Sequence, residues 1–139
     1  MVLDRDAHVN HVNVWNADPD TGRGSEVGKR FIMMGWGAAG PIGREPRGSS
    51  AYGTFHAGEN VWEKVDDGML VYTMDRQSEG GLPLEAIAWD GDSGGPALIE
   101  VDAVTGELQI AGVNSNGDCC RYGHEDEYTR LGGIAYDWI

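Results

Sequence analysis

Apolar positions along this chain come in short runs broken by turn-forming residues, not in the long one-sided stripes of amphipathic helices. Turn signals recur every eight to twelve residues or so, the spacing of short antiparallel strands. Lys29 to Trp36 is an apolar run with the length of a buried strand. Ser50 to His56 alternates, with Tyr52, Thr54 and His56 on one face, and Met69 to Met74 is a third short strand. Pro96 to Val101 and Leu108 to Asn114 carry the strongest strand patterns, and Asp102 to Gly106 between them is rich in turn formers, predicting a hairpin. Residues 22–27, 38–50 and 75–81 read as loops; the middle one is rich in Gly, Pro and Arg and is the exposed stretch best suited to variation or nicking. No internal repeat is present.

Composition narrows the function classes. The chain has 139 residues, enough for one domain with a modest core. Its net charge of −13, from 23 acidic and 10 basic residues, argues against nucleic-acid or anionic-membrane partners, whose affinity comes from Lys and Arg neutralising phosphates. No apolar run approaches the roughly 20 residues of a membrane-spanning helix. The opening Met1-Val2-Leu3-Asp4 has neither the basic segment nor the apolar core of a signal peptide.

The chemistry is concentrated in Gly91-Asp92-Ser93-Gly94-Gly95-Pro96, followed by the apolar Ala97-Leu98-Ile99. A serine between glycines, with a carboxylate before it, suits a nucleophile. Gly91 permits a tight turn beside a substrate carbonyl, and the amides of Gly91 and Ser93 can point at the oxygen that becomes negative in acyl transfer. The plainer reading of such a segment is a Gly-rich turn with an Asx-type hydrogen bond from Asp92.

Further along, Gly35-Trp36-Gly37, the Ser93 motif, Ile110-Ala111-Gly112-Val113-Asn114-Ser115, Tyr128-Thr129-Arg130-Leu131 and Asp137-Trp138-Ile139 occur in an order that resembles the C-terminal half of the chymotrypsin/trypsin family of serine endopeptidases. The resemblance covers about residues 27 to 139. It implies an all-β fold, a six-stranded antiparallel Greek-key barrel forming the C-terminal half of a double barrel, ending in the start of a short helix. Residues 1–26 would be an N-terminal segment linking the two barrels, and 27–139 the barrel itself. It implies hydrolysis of a polypeptide substrate through an acyl-enzyme on Ser93, with no cofactor, in a secreted parent protein.

Acyl transfer by serine needs a base and a group that orients it. The family draws both His and Asp from its N-terminal barrel. None of His8, His11, His56 and His124 stands in the corresponding motif; Asp6-Ala7-His8-Val9 is a superficial match far too close to Ser93. Val2-Leu3-Asp4-Arg5 is similar to the stretch that follows the family's Asp. The expectation is a fragment whose missing N-terminal barrel supplies the His and Asp, inactive by itself. A non-catalytic binding or regulatory homologue is the alternative, and an esterase on the same scaffold a third. In the family the carboxylate equivalent to Asp92 pairs with an amine released by proteolysis and orders the oxyanion loop. Without that amine, the loop should be poorly ordered or held another way. For specificity, the resemblance places Ile87 at the pocket base, Ser115 on the strand lining the cleft, Asn116 and Gly117 on the pocket wall, and Asp126 at its back. A carboxylate at Asp126 favours a basic side chain; the apolar alternative rests on Ile87.

Other candidates are weaker. Asp18-Pro19-Asp20-Thr21-Gly22 begins like a calcium loop but lacks its later Gly and Glu. His8 and His11, near Asp4 and Asp6, read as solvated residues of a frayed terminus rather than metal ligands. His56 reads as a plain strand residue. Cys119 and Cys120 are adjacent, a spacing that disfavours a bond between them and does not match a metal site; the family's disulfide cannot form, because Trp89 stands where its earlier cysteine would be.

Overall fold

A computed structural model of the chain describes residues 11–16, 25–44, 52–118 and 121–132. Seven antiparallel strands make one sheet: β1 (Arg30–Gly35), β2 (His56–Val61), β3 (Lys64–Asp66), β4 (Met69–Thr73), β5 (Pro96–Asp102), β6 (Glu107–Gly117) and β7 (Glu125–Arg130). Their order is β2-β1-β5-β6-β7-β4-β3. The only helical element among the described residues is a 3-10 turn at Gln77–Glu79.

The two edge strands of this sheet are neighbours in sequence, separated only by Trp62 and Glu63. At that join Trp62 N–H donates to Lys29 O (3.1 Å), while Glu63 N–H donates to Val71 O (2.9 Å). The chain therefore leaves the β1 side of the sheet and joins the β4 side within two residues. The sheet curls into a barrel-like wall that shields most of its edges.

Alternation along β1 sends Phe31 and Met33 inward, both buried. Phe31 stacks on Trp62 with ring centroids 3.7 Å apart, and Tyr72 and Tyr128 meet this pair edge-on. Leu70, Ile99, Ala97 and Ala111 complete the core. The aromatic cluster thus draws on β1, the β2–β3 join, β4 and β7, and ties opposite walls of the curl together.

Four of the five strands read from the apolar pattern form close to where expected, and the Tyr128–Leu131 motif overlaps β7. β5 and β6 are joined by the expected hairpin, in which Gly106 N–H donates to Asp102 O and the Asp102 carboxylate accepts from the amides of Val104 and Thr105. Those bonds hold the Asp102 carboxyl below its usual range. The strand expected over Ser50 to His56 is displaced: residues 52–54 form bends, and the strand runs from His56 to Val61. Gly53, at φ +79°, donates its N–H to Trp36 O and turns the chain there. β3 lies in a stretch where no strand was expected, so the structure has seven strands rather than six.

Residues 13–15 are not free of the sheet. The half of β6 before Gly112 extends past β7, and its open edge takes Val14 in a parallel bridge to Ile110. Trp15 N–H donates to Ile110 O (2.8 Å), and Ile110 N–H donates to Asn13 O (2.9 Å). The helix start expected at Asp137, residues 1–10, and both cysteines lie outside the described residues.

Candidate functional site

Residues 85–95 carry the serine motif into β5, and backbone bonds shape its turn. Asp92 N–H donates to Trp89 O and Gly95 N–H to Asp92 O. Gly94 N–H donates to Asn114 O, and Asn114 N–H to Gly95 O, which fastens the motif to β6. Gly91 and Gly94 stand at φ +90° and +85°, a region that side-chain-bearing residues rarely adopt. The amides of Gly91 and Ser93 donate to no backbone group among the described residues, and Ser93 is exposed.

Ser93 lies on the wall of a cavity of about 270 Å³ that also includes Asn114, Ser115, Asn116, Gly117 and Asp126. Five residues singled out from sequence, from three separate segments, therefore share one cavity. β6 and β7 bring this about. Asn114 pairs with Tyr128 and Asn116 with Glu127, leaving Ser115 as the extra residue of a bulge; Gly117 then pairs with Asp126. Gly117 is required there, because a Cβ would overlap the Asp126 carboxylate.

Asp126 is buried, with 3% of its surface exposed. Tyr72 hydroxyl donates to its Oδ2 (2.9 Å), and Glu127 N–H to its Oδ1 (2.7 Å). Tyr72 in turn accepts from Ala88 N–H (3.1 Å), linking the back of the cavity to the Ser93 segment. No cationic side chain among the described residues pairs with Asp126. Burial raises its pKa from 3.8 to about 6, and the bonds from Glu127 and Tyr72 only partly offset this.

Ile87 is placed elsewhere. It is 9% exposed, belongs to the core cluster and lines a second, mainly apolar cavity of about 190 Å³ rather than the one beside Ser93. Its neighbour Ala88 takes the wall of the Ser93 cavity. The difference arises because the Ala88–Tyr72 bond fixes how this irregular segment passes the core, and residue spacing does not carry that information.

Asp92 is held within the chain. Its Oδ1 accepts from Gly37 N–H (2.9 Å) and its Oδ2 from Trp89 N–H (3.1 Å), and His56 Nε2 lies 3.3 Å from Oδ1. Gly35 and Gly37 leave the space: a Cβ on either would overlap the carboxylate. Of the two outcomes expected for the loop without an external amine, it is therefore held another way. Nearby, Tyr52 hydroxyl donates to Asp90 Oδ2 and Ala38 N–H to Asp90 O. Trp36 and Phe55 pack on each other beside this turn, both more than half exposed.

Sequence reading missed His56, whose spacing to Asp92 matches no known motif. It also missed the pair formed by Glu26, fully buried, and Arg130, which bind through two 2.9 Å bonds. Among the described residues no histidine hydrogen-bonds Ser93. His11 is exposed, and His124 Nδ1 lies 2.6 Å from Asp118 O. No group of three or more His, Cys, Asp or Glu among the described residues is placed to hold a metal ion. His8 and the Asp18–Gly22 segment lie outside them.

No protein-family model matches the chain, and no curated protein matches it.

Proposed function

We propose that this chain is the C-terminal barrel of a serine endopeptidase resembling the chymotrypsin/trypsin family, with Ser93 as nucleophile. The observation that carries this reading is the single cavity joining Ser93 to Ser115, Asn116, Gly117 and Asp126. In fold terms, β2 and β3 count as one strand bent at Trp62–Glu63, which yields a six-stranded Greek-key barrel.

Ser93 Oγ attacks a scissile carbonyl carbon while its proton passes to a base. The carbonyl oxygen takes the negative charge and is met by the amides of Gly91 and Ser93. Collapse of the tetrahedral intermediate expels the amine, which takes the proton back from the base, and leaves an acyl-Ser93 ester for water to hydrolyse. Support for the oxyanion role is that neither amide has a backbone acceptor among the described residues and that Gly91 has positive φ. The base and its orienting carboxylate come from an N-terminal barrel; among the described residues His56 faces Asp92, His124 faces Asp118 O and His11 is exposed, and none of the three bonds Ser93.

Asp126 at the back of the cavity selects a cationic side chain. Its carboxylate has no cationic partner among the described residues, so a guanidinium or ammonium entering the cavity would relieve the cost of burying it. Benzamidine, an arginine mimic, is the probe. Binding to the wild-type chain at pH 7.5 that is lost in Asp126→Asn supports this specificity; equal binding by both overturns it.

Labelling with a fluorophosphonate tests the nucleophile. The chain alone should react slowly or not at all. Adding a barrel that supplies His and Asp should speed labelling, and Ser93→Ala should abolish it. Fast stoichiometric labelling of the chain alone, lost in Ser93→Ala, would show that one of its own histidines is the base. No labelling with the partner barrel present would favour a non-catalytic binding module, a reading supported by the lack of a histidine bonded to Ser93 among the described residues.

A further inference from the structure

We infer that His56 is the positioning residue of the Ser93 loop, acting through Asp92, so that this chain holds its candidate oxyanion turn with an internal side-chain donor. The inference rests on the reading of Ser93 and Gly91 given above for its functional meaning, but its geometry stands by itself.

The Asp92 side chain is only 10% exposed, so an ionised carboxylate there needs partners. Two neutral amide donors, from Gly37 and Trp89, each take one oxygen. His56 Nε2 lies between both oxygens, 3.3 Å from Oδ1 and 3.4 Å from Oδ2. The other ring nitrogen, Nδ1, lies 3.0 Å from the carbonyl oxygen of Thr54. Both nitrogens of His56 thus face oxygens that can only accept. Nε2 is the one side-chain donor placed at the Asp92 carboxylate among the described residues.

The pair joins separate parts of the fold. His56 opens β2, Gly37 follows β1, and Asp92 immediately precedes Ser93. Register sets this up: His56 pairs with Gly35 at the end of the β1–β2 ladder, so its ring emerges beside the glycines that receive Asp92. Moving Asp92 would move the peptide between Asp92 and Ser93, and with it the Ser93 amide. His56 does not touch the reacting atoms; it sets their position through Asp92.

Other ionisable groups face this site. Glu85 and Tyr128 line the adjoining apolar cavity with His56 and Asp92, and Asp90 sits in the same turn, bonded to Tyr52. Burial raises the Glu85 pKa. None of these donates to Asp92, and His56 is the one side chain placed to do so among the described residues.

The test is amide hydrogen exchange on the full chain by NMR, expressed as protection factors, with wild type, His56→Leu and His56→Gln compared. In His56→Leu, protection at Gly37 and Trp89, whose amides bind Asp92, should fall about tenfold or more while the β5–β6 amides keep theirs. His56→Gln retains an N–H donor and should restore part of the loss. Unchanged protection in His56→Leu, or no recovery in His56→Gln, overturns the inference. Should His56→Leu not fold, protection in His56→Ala, read against wild type, decides. If Ser93 proves not to be a nucleophile, these exchange results are unaffected, so the two readings fail separately.

Discussion

A buried carboxylate with no cation beside it among the described residues is the residue-scale feature with the clearest physical consequence. Asp126 titrates at about 6 in the folded chain and near 3.8 when unfolded, so the folded state binds the proton more tightly. Its contribution to stability is greatest below the unfolded value and is lost as pH rises through about 6. At neutral pH the ionised, buried form costs about 3 kcal/mol. Asp126→Asn keeps an acceptor for Tyr72 without the charge. Urea unfolding should find it more stable than wild type at pH 8, with the gain shrinking through pH 6 and nearly gone at pH 4. A gain independent of pH would contradict this account. Glu26 is the opposite case, because Arg130 compensates it in bidentate geometry. Glu26→Ala leaves Arg130 unpaired and should lose about 3–5 kcal/mol, while Glu26→Leu with Arg130→Met should recover much of that in the same unfolding assay.

Among the elements, β2 shows how tertiary contact overrides local preference. Its sequence, His-Ala-Gly-Glu-Asn-Val, has a glycine and an asparagine at central positions, both poor strand formers. Gly58 is there because a Cβ would run into Ala86, where the 85–86 segment crosses β2. Asn60 is there because its amide donates to Thr73 O and Ala86 O, carbonyls with no strand partner in reach. Gly58→Val, favourable by strand propensity alone, should instead cost about 1–3 kcal/mol by overpacking. A thermal melt that rises in Gly58→Val would show that propensity dominates at this position.

For the whole molecule, closure depends on the Trp62 join. Trp62 is fully buried, stacks on Phe31 and carries the chain from one sheet edge to the other. Trp62→Ala should lose about 3–5 kcal/mol, and its unfolding should remain a single transition because the aromatic cluster spans opposite walls. Two separate transitions would mean that the walls fold independently. On the outside, Trp36, Phe55 and Tyr52 are exposed beside the Asp90–Asp92 turn. This apolar rim is where a partner barrel would sit under the proposed function, and docking should quench Trp36 fluorescence.

Sequence by itself determined the all-β class, most of the strands and the Asp102–Gly106 hairpin. Those features depend on side-chain alternation and turn chemistry, local properties of a chain. Tertiary structure decided what distant residues do to one another. It placed β2 beyond Gly53, put Ile87 in the core with Ala88 at the cavity, buried Glu26 against Arg130, and set the His56 ring against Asp92. Each of these depends on which backbone crosses which, and a carboxylate at one position carries no local mark of the cation or amide that will meet it after folding.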